Sequence, residues 1–105
     1  MVIKGVLREE LRNSRRMAAR FERELAKLPR GSLVKRTIKA HEYYYLVFRE
    51  GGKVRSVYKG KRVTKREQEK YRKAKELRAK YRSSLSQLRK QIRFLERALR
   101  GKEDV

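Results

Sequence analysis

Residues 41–62 read HEYYYLVFREGGKVRSVYKGKR. Aromatic and branched aliphatic residues stand on both sides of a Gly-Gly pair at 51–52, and these residue types are typical of β-strands. Two consecutive glycines accept the positive φ angles of a two-residue hairpin turn, so the stretch predicts two antiparallel strands. Residues 33–39 have a similar composition and predict a third strand. The sequence therefore predicts a three-stranded β-meander over residues 33–59.

A helix is predicted on each side of the meander. Over residues 3–28, apolar or small residues recur with the alternating spacing of four and three that forms a coiled-coil seam. Pro29 ends this helix because it lacks a backbone N–H and disfavours helical geometry in the preceding residue. A second helix is predicted over residues 65–100, with Thr64 and Glu67 spaced as a capping box. The apolar positions are Leu7, Leu11, Ser14, Ala18, Phe21, Leu25 and Leu28, then Ala74, Leu77, Tyr81, Leu85, Leu88, Ile92, Leu95 and Leu99.

The two predicted helices differ in length. An antiparallel partner for the first seam reaches back from Leu99 to residue 78, which leaves residues 65–77 without a helical partner. We expect this extra piece to lie across one face of the sheet. The predicted fold class is therefore α+β, a long antiparallel, coiled-coil-like helical hairpin with a three-stranded antiparallel β-meander between the helices. A chain of 105 residues predicts a single domain, residues 1–105.

The composition favours an anionic partner. Lys and Arg number 33 against 12 Asp and Glu, which gives a net charge of +21. Self-repulsion of this size disfavours compaction, and a polyanion relieves it. The candidates are nucleic acid, an acidic membrane surface and an acidic protein, of which duplex DNA has the densest charge. Because the chain has no cysteine and no long apolar run, we expect a cytoplasmic protein. Its positive charge leads us to expect association with the nucleoid or the ribosome.

Alternation of side chains along the strands divides the predicted sheet into two faces. The Tyr43 face carries Val34, Arg36, Ile38, Tyr43, Tyr45, Val47, Val54 and Tyr58, and the Tyr44 face carries an apolar ridge of Tyr44, Leu46 and Phe48. We expect the Tyr43 face to pack on the second helix near Tyr71 and Ala74. Two rows of cations flank the ridge, so we expect the Tyr44 face to lie against a phosphate-lined groove. Two alternatives stay open: the ridge aromatics stack on unpaired bases, or they complete a second core under lysine stems.

A basic run follows the predicted sheet. Residues 59–82 contain twelve Lys or Arg against three Glu, so the opposing carboxylates are too few to neutralise the cations. Several of these cations stand where the second helix begins, and free backbone amides there also favour an anion. The candidate nucleic-acid-binding residues are Lys35, Lys39, Tyr44, Phe48, Lys53, Arg55, Lys59, Lys61, Arg62, Lys65, Arg66, Lys70 and Lys73.

The sequence shows no catalytic pattern. His41 is the sole histidine and falls in a predicted turn, and the close glutamate pairs lie beside basic residues on helices. Gly52-Lys53 and Gly60-Lys61 lack the other residues of a phosphate-binding loop. We therefore expect neither an enzyme nor a bound cofactor or metal.

Residues 28–61 read LPRGSLVKRTIKAHEYYYLVFREGGKVRSVYKGK. This segment resembles the signature of a family of small uncharacterised prokaryotic proteins, whose members carry LP(K/R)GSL, a YYYL strand, GGKV and a tyrosine followed by a basic stretch. The family has no established activity, so the resemblance implies no chemistry. Residues 39–41, Lys-Ala-His, stand where relatives more often have an Asn-Gly type of turn, which leaves the register of the first hairpin open. The strand-GGK-strand pattern is also similar to three-stranded DNA-binding modules of integrases and transposases, and that resemblance implies a sheet that enters the major groove.

Two functional hypotheses follow. The first is a non-enzymatic nucleic-acid-binding protein, with duplex DNA ahead of structured RNA or the ribosome. The second is an adaptor whose helical hairpin binds an acidic protein or forms a homodimer, with Met17 and Phe94 as apolar residues beside the main seams. Membrane-surface binding is disfavoured because the helix stripes are narrow seams without the broad apolar face of an interfacial helix.

Overall fold

The fold follows the predicted order of helix, three strands and helix. The computed structural model describes residues 3–101 of the 105-residue chain. The elements are α1 (Ile3–Lys27), β1 (Ser32–Ile38), β2 (His41–Glu50), β3 (Lys53–Gly60) and α2 (Lys65–Leu99). The strands form one antiparallel sheet in the order β1-β2-β3, which confirms the predicted α+β class.

The described chain divides into two compact units. The sheet unit is Leu28–Arg78, and the helical unit contains residues 3–27 and 79–101 of the described chain. Because α2 begins at Lys65 and ends at Leu99, its residues as far as Arg78 belong to the sheet unit and the rest to the helical unit. That the two units form the single domain expected from the chain length stays a prediction.

The core of the helical unit is the predicted seam. The buried side chains are Leu11, Ser14 and Ala18 on α1 and Leu85, Leu88 and Leu95 on α2. The rings of Phe21 and Tyr81 lie 5.6 Å apart between centroids. Arg15, earlier on α1, pairs with Glu96, later on α2, at 3.6 Å. The order of these contacts makes the helices antiparallel, as the predicted hairpin requires.

Both hairpins have two-residue turns. The second is the predicted Gly-Gly pair at 51–52, with φ angles of 58° and 78°. The first turn is formed by Lys39 and Ala40, whose φ angles of 50° and 65° place two residues with side chains in the left-handed region. His41 therefore opposes Ile38 as the first residue of β2 rather than lying in the turn. This pairing fixes the register of the first hairpin, which the sequence left open.

A β-bulge ends the pairing of β3. Tyr45 opposes Tyr58, but Tyr44 opposes Gly60, so Lys59 is the extra residue on β3. The side-chain parity up to the bulge is the predicted one, and the residues of the Tyr43 and Tyr44 faces are grouped as the sequence indicates.

The start of α2 forms half of the predicted capping box. The Glu67 backbone N–H donates a hydrogen bond to the Thr64 hydroxyl oxygen at 3.1 Å, which satisfies one of the free amides at the helix N-terminus. The Glu67 carboxylate has a different role from the predicted one, since it lies 3.6 Å from the Lys59 ammonium. This ion pair joins the bulge of β3 to the first turn of α2.

The first turns of α2 lie against the Tyr44 face. The Gln68 side-chain amide donates a hydrogen bond to the Tyr44 hydroxyl oxygen at 3.4 Å. A cleft of about 380 Å³ is lined from both sides, by Ser32, Leu33, Val34, Lys35 and Tyr44 of the sheet and by Gln68, Tyr71, Arg72 and Lys75 of α2. The prediction that the first part of α2 lies across one face of the sheet is therefore confirmed.

The face that α2 covers is not the predicted one. On the Tyr43 face, Val54 is 62% exposed, Tyr58 54% and Ile38 47%. The prediction that this face packs on the second helix near Tyr71 and Ala74 is therefore wrong, and the Tyr43 face is the open face of the sheet.

The segment before β1 also covers the Tyr44 face. A Cβ added to Gly31 would lie 3.1 Å from Leu46 Cδ1 and 3.2 Å from Phe48 Cβ, so the Gly31 backbone lies directly on the apolar ridge. The Arg78 guanidinium donates a hydrogen bond to the Pro29 carbonyl oxygen at 2.7 Å, which fastens α2 to this segment. The ridge is thus covered by α2 and by the chain that leads into β1.

Charge gives a physical reason for the choice of face. The central strand places three uncharged side chains in the middle of the Tyr44 face, namely Tyr44, Leu46 and Phe48. The Tyr43 face carries Arg36 and Arg49 and no strand glutamate, so a helix packed over it would take two guanidinium groups out of water without a carboxylate partner. The Tyr44 face has Glu42 and Glu50, which pair with Lys35 and Arg55.

The apolar stripe of α2 shifts by one position in the sheet unit. Ala74 is 2% exposed, but Leu77 is 38% exposed, contrary to the prediction that it belongs to the stripe. Its neighbour Arg78 is part-buried instead and satisfies its guanidinium on the Pro29 carbonyl oxygen. The polar backbone of the segment before β1 therefore favours an arginine donor over a leucine at this position.

Candidate nucleic-acid interface

The cations in the two predicted rows on the Tyr44 face form ion pairs with glutamates. Lys35 lies 3.0 Å from Glu42, and this hydrogen bond raises the pKa of the Lys35 ammonium. Arg55 lies 3.5 Å from Glu50, and Lys59 is the third paired cation, through the contact with α2 given above. These three candidates are partly neutralised, so the Tyr44 face is less cationic than the sequence predicts.

Two further candidates lie at opposite ends of the sheet. Lys39 is in the first hairpin turn, and Lys53 follows the second turn and opposes Glu50. β2 connects the two turns and has 10 residues, which corresponds to about 33 Å of strand. Lys39 and Lys53 are therefore not brought together into one site.

The two aromatic candidates have partners within the sheet unit. Tyr44 accepts the hydrogen bond from Gln68 at 3.4 Å. The guanidinium carbon of Arg30 lies 5.6 Å from the centroid of the Phe48 ring, and the Gly31 backbone lies beside its Cβ. Both side chains are half-buried, so their geometry favours the interpretation that the ridge completes a core. Their contact with nucleic acid stays a prediction.

Four exposed cations surround the N-terminus of α2 and are here called the α2 cluster: Lys61, Arg62, Lys65 and Arg66. The nearby glutamates are already engaged. Glu67 pairs with Lys59, and Arg72 pairs with both Glu69 and Glu76. Among the described residues, no carboxylate forms an ion pair with the α2 cluster. The cluster is therefore a concentration of unneutralised positive charge.

Two more candidates extend the α2 cluster along the helix. Arg66, Lys70 and Lys73 follow a spacing of four and three, which places them on one side of α2. All three are exposed, and the Lys70 ammonium lies 5.6 Å from the centroid of the neighbouring Tyr71 ring. The candidates from Lys61 to Lys73 thus follow one another along the loop before α2 and its first turns.

The open Tyr43 face carries a cluster of aromatic rings and cations. The Tyr58 ring centroid lies 6.1 Å from that of Tyr43 and 5.6 Å from that of Tyr45. The guanidinium carbon of Arg36 lies 5.0 Å from the Tyr45 centroid, and the Lys61 ammonium lies 5.8 Å from the Tyr43 centroid. These distances are within the range of cation–π contact, so the cations are held against the rings.

This cluster was not predicted, because the Tyr43 face was expected to pack on the second helix. A signal for the open face is nevertheless in the sequence. Glu42 and Glu50 are the glutamates of the three strands, and their parity places both on the Tyr44 face. The charged strand residues of the Tyr43 face are Arg36 and Arg49, so that face is purely cationic. The side chains missed by sequence analysis are Arg36, Tyr43, Tyr45 and Tyr58.

Within residues 3–101, no group of three or more His, Cys, Asp and Glu side chains is arranged to hold a metal ion. His41 lies on the Tyr43 face, with its ring centroid 6.4 Å from that of Tyr43. In the same part of the chain, neither helix has an apolar stretch long enough to cross a membrane.

A family model described as a domain of unknown function (DUF6788) matches residues 7–70. The chain belongs to this family. The DUF6788 match covers most of α1, the whole sheet and the start of α2, and so includes both the Tyr43 face and the α2 cluster. It is consistent with the resemblance to an uncharacterised family that residues 28–61 suggest. No curated protein and no solved structure matches the chain.

Proposed function

We propose that this DUF6788 protein binds nucleic acid without catalysing a reaction on it, and that the α2 cluster makes its main phosphate contacts. The observation that carries the proposal is the pairing of the glutamates beside the cluster. Glu67 is held by Lys59, and Glu69 and Glu76 are held by Arg72. The four cations of the cluster are thereby left to an external anion.

The position of the α2 cluster suits a phosphate. Backbone amides at a helix N-terminus point toward an anion, and the helix dipole adds partial positive charge. The row from Arg66 to Lys73 continues along α2 for about 10 Å, the axial length of about three nucleotides of one DNA strand. A polyphosphate chain therefore fits the arrangement better than a single small anion.

The net charge of +21 supports a densely charged polyanion, and duplex DNA is the densest of the common candidates. The similarity of the strand-GGK-strand pattern to DNA-binding modules of integrases and transposases supports the same choice by analogy. The expectation that the apolar ridge of the Tyr44 face enters a groove no longer supports DNA binding, because α2 covers that ridge. Structured RNA is the second candidate ligand, and the proposed locations are the nucleoid for DNA and the ribosome for RNA, both cytoplasmic.

Salt dependence of binding tests the proposal. A labelled DNA duplex and a labelled RNA hairpin are titrated with the protein at several salt concentrations, with fluorescence anisotropy as the readout. If 6 to 10 phosphates are neutralised, affinity falls about 10³- to 10⁵-fold between 50 and 200 mM salt. Absence of binding at low salt, or binding that salt does not weaken, overturns the proposal. Competition between the two probes at one salt concentration identifies the preferred nucleic acid.

An adaptor function is the second candidate, and one observation favours it. Met17 is 49% exposed and Phe94 61% exposed on the helical unit, where most apolar side chains are covered. We propose that, in this case, the hairpin would form a homodimer or bind an acidic protein. Light scattering on the wild-type protein and on Phe94→Ser tests self-association, and a monomer in both samples rejects the homodimer.

A further inference from the structure

We propose that the Tyr43 face binds the unpaired bases of a single nucleic-acid strand, with the Tyr58 ring as the stacking platform. This inference deepens the proposed function and rests on it. It adds a second contact surface to the α2 cluster and names the ligand of that surface, the unpaired part of a nucleic acid.

The accessibility of the rings singles out Tyr58. Arg36 lies over the Tyr45 ring at 5.0 Å and Lys61 over the Tyr43 ring at 5.8 Å, so a cation already lies over each of these two rings. Tyr58 is 54% exposed, although it lies between the other two tyrosines. An exposed ring with one open surface is what a base requires for stacking, and such stacking is tolerant of sequence because every base has a π-face.

The cations around Tyr58 supply the complement to the backbone of the strand. Arg36 belongs to β1 and Lys61 follows β3, so they approach the tyrosines from different edges of the sheet. A base stacked on Tyr58 would have its flanking phosphates within reach of these two cations. Exposed aromatic rings between cations are the arrangement by which sheets bind single strands.

Charge argues for a nucleic acid rather than an apolar partner on this face. The strand glutamates lie on the opposite face, and Arg49 adds a further cation to the Tyr43 face. An apolar protein surface would have to remove Arg36 and Arg49 from water without compensation. A single strand instead offers phosphates to the arginines and bases to the tyrosines.

Lys61 connects this surface to the α2 cluster. It is one of the four residues of the cluster, and its ammonium also lies over the Tyr43 ring. A strand bound on the Tyr43 face can therefore continue onto Arg62 and the first turn of α2. A duplex keeps its bases paired and stacked on each other, so it reaches the cluster without using Tyr58.

Binding of one labelled oligonucleotide, first as a single strand and then annealed to its complement, tests the inference. DNA and RNA versions of the single strand distinguish the two sources of unpaired bases. The variants are Tyr58→Ala, which removes the ring, and Tyr58→Phe, which keeps it. Val57→Ala is the matched control, because Val57 lies on the same strand but on the opposite face and is 47% exposed.

We expect Tyr58→Ala to weaken single-strand binding about 5- to 150-fold, the range for loss of one aromatic stacking partner. We expect Tyr58→Phe and Val57→Ala to bind like the wild type. The slope of log affinity against log salt concentration should be the same for Tyr58→Ala and the wild type, because the substitution removes no charge. Since the chain has no tryptophan, quenching of tyrosine fluorescence in the wild type gives a second readout that needs no variant.

The possible failures are distinguishable. If the duplex binds at least as tightly as the single strand and Tyr58→Ala changes nothing, this inference is overturned and the proposed function stands. If neither form binds at low salt, the proposed function is overturned together with the inference. If Tyr58→Ala is misfolded by circular dichroism, unquenched tyrosine fluorescence in the wild-type complex is sufficient to overturn the stacking role.

Discussion

The Gln68 side-chain amide donates a hydrogen bond to the Tyr44 hydroxyl oxygen at 3.4 Å and so joins α2 to the central strand. This contact places the first turn of α2 on the Tyr44 face, which leaves the Tyr43 face available to a ligand. With Tyr44 facing α2, alternation along β2 leaves Tyr43 and Tyr45 on the side away from the helix. The consequences for stability and for binding can be measured separately.

Truncation on the two faces should have unequal effects on stability. Leu46 is half-buried on the Tyr44 face beside Gly31, and we expect Leu46→Ala to lower the free energy of unfolding by about 1–3 kcal/mol. Val54 is 62% exposed on the Tyr43 face, and we expect Val54→Ala to change it by less than about 0.5 kcal/mol. Urea denaturation measures both values. Equal losses in the two variants would contradict the assignment of the covered face.

The backbone of Gly31 has no room for a side chain. Its φ is 90°, and an added Cβ would lie 2.8 Å from the Val47 carbonyl oxygen. We expect Gly31→Ala to destabilise the protein by about 2–4 kcal/mol, from backbone strain and a contact with rigid backbone. Gly51→Ala is the control, because φ is 58° there but nothing lies within 4 Å of the added Cβ. Gly51→Ala should lower the free energy of unfolding by about 1–2 kcal/mol. A larger decrease for Gly51→Ala than for Gly31→Ala would show that crowding at Gly31 is unimportant.

The first hairpin turn should gain stability from a glycine. Ala40 has a φ of 65°, a left-handed conformation that disfavours a residue with a Cβ. We expect Ala40→Gly to raise the free energy of unfolding by about 0.5–1 kcal/mol, because glycine adopts this turn without strain. The same exchange in the interior of α2, Ala79→Gly, should instead lower it by about 1 kcal/mol. Thermal denaturation of both variants checks the sign, and destabilisation by Ala40→Gly would contradict the observed turn.

Because Glu69 pairs with Arg72, we expect the stability of the protein to depend on pH in the acidic range. A hydrogen bond from the Arg72 guanidinium holds the pKa of the Glu69 carboxyl below its ordinary value. A lowered pKa in the folded state stabilises the protein above the unfolded-state pKa of about 4.3, and this contribution is lost as pH falls through the folded pKa. In an NMR titration, Arg72→Gln should raise the Glu69 pKa, whereas Lys75→Gln should leave it low. An unshifted pKa in Arg72→Gln would show that the pair does not persist in solution.

Local patterns were sufficient to predict most of the fold. The Gly-Gly pair at 51–52 set the register of the second hairpin, and the spacing of four and three located the seam that buries Leu11, Ala18 and Leu85. The covered face was predicted wrongly, because alternation groups residues without showing which group meets α2. Long-range contacts decide that question, among them the Gly31 backbone on the ridge.

The same limit applies to the candidate interface. The excess of cations is visible in the composition, but their ion pairs depend on which side chains the fold brings together. Lys35 and Arg55 were expected to be available and are paired with glutamates, whereas Lys61 lies over the half-buried Tyr43 ring. The parity of Glu42 and Glu50 was the one local signal that separated a mixed-charge face from a cationic one.

The most direct test of nucleic-acid binding through the α2 cluster compares two variants with the same net charge. One carries Lys61→Gln, Arg62→Gln, Lys65→Gln and Arg66→Gln, and the other carries Arg12→Gln, Arg16→Gln, Arg20→Gln and Arg23→Gln, all exposed positions of α1. Anisotropy titrations at several salt concentrations give the affinity and the salt slope of each. We expect the cluster variant to lose most of its affinity and to reduce the slope by about 0.7–0.9 per lost contact, while the α1 variant stays near the wild type. Equal losses in both variants, or none in the cluster variant, would contradict binding at the start of α2.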